Sequence, residues 1–213
     1  MPFFNAIQAS WTAGRKSFRL YRDGESMSPL HITVFLVCLC PAVAGAVQVH
    51  EQRNPQTGLS SWKAEQGGFS LELVQLPPDY VKAFYEARGV PPELMKGMEQ
   101  YCVFGSIARN ESHQPLSYRV ADWRYVTPDG AEHPLKTKSD WVNEWRELGV
   151  AYMWSLLPDD QTLDGGDWNQ GFTTVALPPD SAFDLLYSWS RNGQTYTARI
   201  PGMRCAPAQA PAP

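Results

Sequence analysis

The chain has 213 residues, enough for one domain with extensions, and its 43% hydrophobic and 19% charged content exclude both a disordered chain and a polytopic membrane protein. Before Val47 stand four basic residues (Arg15, Lys16, Arg19, Arg22) and two acidic ones (Asp23, Glu25), so of the chain's 18 basic and 22 acidic residues the remainder holds 14 and 20. An acidic domain with no Lys/Arg stripe lacks the phosphate-neutralising charge that nucleic acid requires, and it lacks the charge that holds a protein on an anionic membrane surface.

Residues 1–46 read as a targeting segment. Ser26 to Val49 contains no Asp, Glu, Lys or Arg; the apolar stretch Ile32–Cys40 is followed by Pro41 and then by Ala44-Gly45-Ala46. A basic flank, an apolar stretch, a helix breaker and small residues at the cleavage point describe a secretory signal, with Val47 as the mature N-terminus and Met27 as an alternative start. An uncleaved N-terminal transmembrane anchor is the competing reading, and it is the only membrane attachment the sequence offers. Val37 before Cys38 and Leu39 before Cys40 do not supply the small residue that a lipoprotein signal needs. The expected location is therefore the periplasm or the exterior.

Residues 47–68 are polar, end in Gly-Gly, and read as a partly ordered lead-in. A folded domain is expected over 69–205. Phe69–Leu76 alternates apolar Phe69, Leu71 and Leu73 with polar Ser70 and Glu72, a half-buried strand. Two short helices follow near 79–100, the first N-capped by Asp79, with Tyr80, Phe84 and Ala87 on one face and an end at Gly89. The second is weakened by Gly97. Tyr101–Asn110 and Leu116–Val126 read as strands, Thr127–Gly130 as a turn, and 139–148 as a helix capped by Ser139 with Trp141, Val142, Trp145 and Leu148 on its apolar side. The remaining stretch closes with two or three strands, including a hairpin at Asn192-Gly193. A Pro/Ala-rich tail occupies 206–213. Short strands punctuated by Gly, Pro and Asp turns predict a mainly β fold, an antiparallel β-sandwich with helical insertions across one edge.

The segments "ARNES…PLSYRVADWRYVTPDGAEHPL" and "LDGGDWNQGFTTVALPPDSAFDLLYSW" resemble exported bacterial immunoglobulin-like domains of unknown function. The resemblance runs from about Tyr101 onward and rests on turn chemistry and aromatic-rich strands. It implies an immunoglobulin-like fold and carries over no catalytic residue. Pro77–Gln100 has no counterpart in it.

With the targeting segment removed, Cys102 and Cys205 are the cysteines left, and in an oxidising compartment they are expected to pair. No Gly-x-Ser-x-Gly elbow, P-loop or His-Glu-x-x-His is present. His113 and His133 flank the segment read as one strand, Leu116–Val126; eleven extended residues span roughly 35 Å, too far for one shared site. No cofactor is called for and catalysis is disfavoured. Four aspartates, Asp159, Asp160, Asp164 and Asp167, crowd one loop without the spacing of a calcium loop, so turn chemistry is the simpler reading. Met95 and Met98 share a helix face near Cys102 and suggest soft-metal binding, against the plainer role of packing that helix. Of the tryptophans, Trp168 sits between Asp167 and Asn169 in polar company and is expected to be exposed; Trp168, Asp167 and Asp164 form the candidate contact patch. The leading expectation is an exported, non-catalytic binding or assembly-accessory domain whose partner is another envelope protein. The alternatives are periplasmic copper handling through Met95 and Met98, and a carbohydrate-binding or carbohydrate-active module.

Overall fold

A computed structural model describes residues 47–150 and 155–208. The readings made for 1–46 and for the end of the tail lie outside the described residues.

Two antiparallel sheets share one core. The first holds β1 (Gln48–Arg53), β2 (Ser60–Gln66), β3 (Phe69–Leu76), β4 (Cys102–Asn110) and β9 (Trp168–Val175), in that spatial order. The second is built around β10 (Ala182–Arg191). On one side of β10 lies β11 (Gln194–Arg204). On the other lie β5 (Leu116–Arg119) and β6 (Arg124–Val126), which carry β8 (Asp160–Leu163) and β7 (Glu132–Pro134) respectively. The registers Ser190↔Ser117, Trp189↔Tyr118 and Leu186↔Arg124, Asp184↔Val126 show β5 and β6 to be one strand in two pieces. A 3₁₀ turn at Val120–Asp122 interrupts it, closed by Trp123 N–H donating to the Val120 carbonyl. The single strand expected over 116–126 is corrected in that respect.

Period-2 alternation explains the layers. In β3, Phe69, Leu71 and Leu73 point into the core; in β10, Phe183, Leu185, Tyr187 and Trp189 do so while Asp184, Leu186, Ser188 and Ser190 face outward. The expected lead-in, 47–68, instead supplies β1 and β2. Trp62 and Ala64 of β2 are buried and every other residue of the pair is partly or fully exposed, so the apolar pattern is too sparse to read as strands.

Helices α1 (Pro78–Glu86), α2 (Pro92–Met98) and α3 (Lys138–Glu147) build a second apolar cluster with Val103 and Leu156, with Leu76 and Phe172 packed beside it. Val103 lies on the face of β4 opposite Phe104, which belongs to the core between the sheets. The helices therefore cover one face of the first sheet and do not cross an edge. Helix α1 is entered through Pro77 and Pro78, which need no N–H partner at that position, and Asp79 makes no capping bond. Its buried residues are Val81 and Tyr85, one position along from the expected face, and Tyr80 is 53% exposed. Helix α3 is capped by Thr137, one turn-start earlier than Ser139: Thr137 Oγ1 accepts from Asp140 N, and Asp140 accepts back from Thr137 N. Trp141 and Trp145 are buried as expected, while Leu148 is exposed.

Cys102 opens β4 and Cys205 follows β11. They lie at disulfide distance with Cα atoms 5.4 Å apart, tying the two sheets together where β11 ends. No helix of the described residues is long and apolar enough to cross a membrane.

Candidate functional site

At one end of the sandwich four turns are bonded to one another. The β2–β3 turn (Gly67, Gly68) accepts from Arg191 Nη1 at 2.8 Å and from Glu111 N at 2.7 Å. The β10–β11 turn reaches the β4–β5 loop through Asn192 Nδ2 donating to Gln114 Oε1 at 2.8 Å. Asn110, fully buried, is the hub. Its amide donates to the carbonyls of Gln114, Leu163 and Asp164, its Oδ1 accepts from Ser112 N and Oγ, and its backbone exchanges bonds with Asp167 and Gly166. A buried amide with its donors and acceptor all used ties these loops to one another.

Close approach completes this end. At Gly165 a Cβ would stand 2.9 Å from the Ser112 carbonyl oxygen and 3.0 Å from His113 Cα, so the β8–β9 turn can lie on the β4–β5 loop only with glycine there. Trp168 leaves this turn at the start of β9, 48% exposed, with the Arg109 guanidinium 5.7 Å from its ring centre. Asp164 and Asp167 are exposed beside it; Asp167 donates its N–H to the Asp164 carbonyl and accepts from Asp164 N. The candidate patch of Trp168, Asp167 and Asp164 is thus brought together, on a rigid turn and not in a cleft.

The other candidates fall elsewhere. Asp159 belongs to α3: its carboxylate accepts from Lys138 N at 2.6 Å and Ser139 N at 2.9 Å, a second anion at a helix N-terminus already capped by Thr137. Asp160 pairs in register with Arg119 across β5 and β8. The four aspartates do not converge, and among the described residues no group of three or more His, Cys, Asp or Glu could hold a metal ion. His113 lies against Gly165, whereas the His133 ring stacks on Tyr125 at 4.9 Å. Met95 and Met98 are both 2% exposed and line, with Cys102, Val103 and Leu76, a cavity of about 20 Å³, room for a single water. Their thioethers pack α2 beside the disulfide.

Sequence reasoning passed over the outer face of the second sheet. Two shallow open clefts of about 470 and 370 Å³ lie side by side there and share Asp122 and Ser188. Four of the charged groups that line them, Arg119, Asp122, Arg124 and Arg199, are engaged. Arg119 pairs with Asp122, Arg199 with Asp184, and Arg124 Nη1 donates to the carbonyls of Ala121 and Trp123. Trp168 lines neither cleft. The signal available in the sequence was the outward hydroxyl set: Thr162, Ser117, Ser190 and Thr195 stand in one row across four strands.

Titration points the same way. Burial pushes the Tyr118 hydroxyl up to about 12, with an Asn169 hydrogen bond opposing it, and burial pushes Tyr187 up as well. Lys63 is raised chiefly by its hydrogen bond to Glu65, and Asp129 is lowered chiefly by its bond from Thr127. Each of these four shifts moves a group further from neutral pH.

No protein-family model and no curated protein matches this sequence. Among solved structures, an X-ray structure described as Northeast Structural Genomics Consortium target SoR45 matches with a TM-score of 0.34 and 12% identity, over 78% of this chain and 90% of that one. A likeness at that level leaves the fold to be argued from the strands themselves.

Proposed function

We propose that this protein is an exported, non-catalytic binding or assembly-accessory domain that engages another protein of the cell envelope. The observation that carries the reading is Trp168: a large aromatic left half exposed on a turn immobilised by Asn110 and Gly165. The other five tryptophans among the described residues are buried, so an exposed indole on this turn is a natural anchor for a partner's pocket. The shifts away from neutral pH and the ion pairs Arg119–Asp122 and Arg199–Asp184 on the second sheet's outer face support binding over chemistry. The Cys102–Cys205 pair supports residence in an oxidising compartment.

An immunoglobulin-like classification is part of the same proposal. Two antiparallel sheets joined by one cysteine pair support it, and the meander β1–β2–β3–β4 is the feature that departs from a Greek key. The test is capture of partners by the mature protein and by Trp168→Ala in cross-linked native envelopes. The expected result is a defined partner lost from Trp168→Ala; an unchanged partner set removes Trp168 as the anchor.

A further inference from the structure

Strand β11 bounds the second sheet and pairs only with β10 among the described residues. The turn between them has two residues, Asn192 and Gly193, both at positive φ (52° and 75°), as a type I′ hairpin requires. In such a hairpin the flanking residues, Arg191 and Gln194, form a hydrogen-bonded pair, and bonded and non-bonded pairs then alternate along the strands. Tyr196, Ala198 and Ile200, opposite Trp189, Tyr187 and Leu185, accordingly exchange their backbone bonds with β10. The N–H and C=O groups of Thr195, Thr197 and Arg199 point the other way. Among the described residues no backbone bond or isolated bridge takes them up.

Edges of this kind are ordinarily blunted by lysine, proline or a covering segment. The two outer strands of the first sheet show such devices. On β9, Phe172 exchanges bonds with Ser155 and Leu157, and Lys136 bridges Thr174. On β1, His50, Glu51 and Arg53 crowd six mostly exposed residues. The stretch Gln194–Ile200 of β11 has neither lysine nor proline, Pro201 comes after it, and its one charge, Arg199, is paired with Asp184. Tyr196 of this strand is half-buried and stacks on Trp189 at 5.5 Å, and Val47 and Val49, at the outer edge of the first sheet, are half-buried against the same core.

We infer that the edge of β11 receives an extended segment of a partner protein as an added strand. This rests on the binding-domain reading and names its surface. A lone strand is the occupant because β2 packs over β11 and β1 carries the first sheet one strand further out. A partner arriving with a second layer of its own, another copy of this chain included, meets β1. A single strand does not: it lies beneath β1, whose half-buried Val49 packs toward the core, next to Tyr196 of β11. The segment it fits is uncharged, with small apolar residues alternating with polar ones.

The test uses the mature protein and an acetylated peptide of alternating threonine and valine, seven residues long and ending in two lysines for solubility. Amide exchange at Thr195, Thr197 and Arg199 is fast without the peptide and slows by about tenfold or more with it, the order of factor that one net hydrogen bond contributes. Thr197→Pro abolishes this response without lowering thermal stability, because the Thr197 N–H has no partner within the sheet. Thr195→Pro does the same and serves as the second variant, whereas Ala198→Pro, which removes a bond to β10, destabilises the fold. No peptide binding, or equal binding by Thr197→Pro, overturns the inference. Concentration-dependent dimerisation abolished by Thr197→Pro overturns the lone-strand occupant in favour of a second copy. An envelope partner kept by Thr197→Pro but lost from Trp168→Ala removes the edge and leaves the binding-domain reading intact.

Discussion

Between the two sheets, Trp62, Trp123 and Trp189 are buried among Phe69, Phe104, Tyr118 and Tyr187, with ring centres about five to six ångströms apart. On the outer face of the first sheet, Trp141 and Trp145 are buried just as deeply beneath the helices. The polar ends of these side chains are treated differently. In the helical layer Trp141 Nε1 donates to Thr174 Oγ1 at 2.9 Å, Tyr85 Oη bonds Ser155 Oγ at 2.6 Å, and α3 begins under two carboxylates. Between the sheets Trp123 Nε1 reaches the Ser188 carbonyl, but Trp62 Nε1, Trp189 Nε1 and Tyr187 Oη have no partner among the described residues. Area and ring geometry hold the sandwich core, and specific polar bonds orient the helices on it. Damage to the first should track volume; damage to the second should track chemistry.

The sharpest way to break that comparison is at Trp189. Trp189→Ala should cost about 3–5 kcal/mol in chemical denaturation, while Trp189→Phe, which loses an unpartnered N–H, should cost far less. Equal losses would mean that the indole N–H matters and that the core resembles the helical layer. Replacing both Cys102 and Cys205 by serine should lower stability by about 2–5 kcal/mol, and intact mass should rise by two hydrogens when the wild-type protein is reduced. Unchanged mass would refute the pairing. Asp159→Ala should cost about 1 kcal/mol, most of it recovered by Asn, because the group's work is to accept the first N–H donors of α3. An identical effect of Asn and Ala would make packing, not capping, its role.

The alkaline limb separates the regions without mutating bulk. Tyr118 and Tyr187 have folded pKa values raised above the unfolded value, so the stability they contribute is fully present below about pH 10 and is lost as pH climbs towards about 12. The melting temperature should therefore fall across that window, and the fall should shrink in Tyr118→Phe/Tyr187→Phe. A fall of the same size in the double variant would assign it elsewhere. The smallest expected effect is at the loop end, where Trp168→Ala should change stability by no more than about 0.5 kcal/mol, as for an exposed side chain with one distant cation–π contact.

How much of this was legible in the chain differs from one element to the next. The alternation in 69–76, the Asn192-Gly193 turn and the pairing of Cys102 with Cys205 each rest on local rules or counting, and they appear as written. β1 and β2 were hidden because one face of an outer strand pair can be almost wholly polar. Trp168 was readable as exposed from its neighbours, yet its rigidity was not, since the Asn110 hub joins residues more than fifty positions apart. Met95 and Met98 carry identical letters whether they bind a soft metal or fill a gap; their depth comes only from packing.

By itself the sequence determined which residues face inward along 69–76, where the Asn192-Gly193 turn falls and which sulfurs could meet, because these follow from period, φ preference and covalent reach. Only the tertiary structure decided that the helices lie on a sheet face, that Asp159 accepts from the first N–H groups of α3, and that the backbone groups of Thr195, Thr197 and Arg199 facing away from β10 have no partner among the described residues. Those outcomes depend on which distant segment lies alongside, and non-local pairing leaves no periodic mark on the chain.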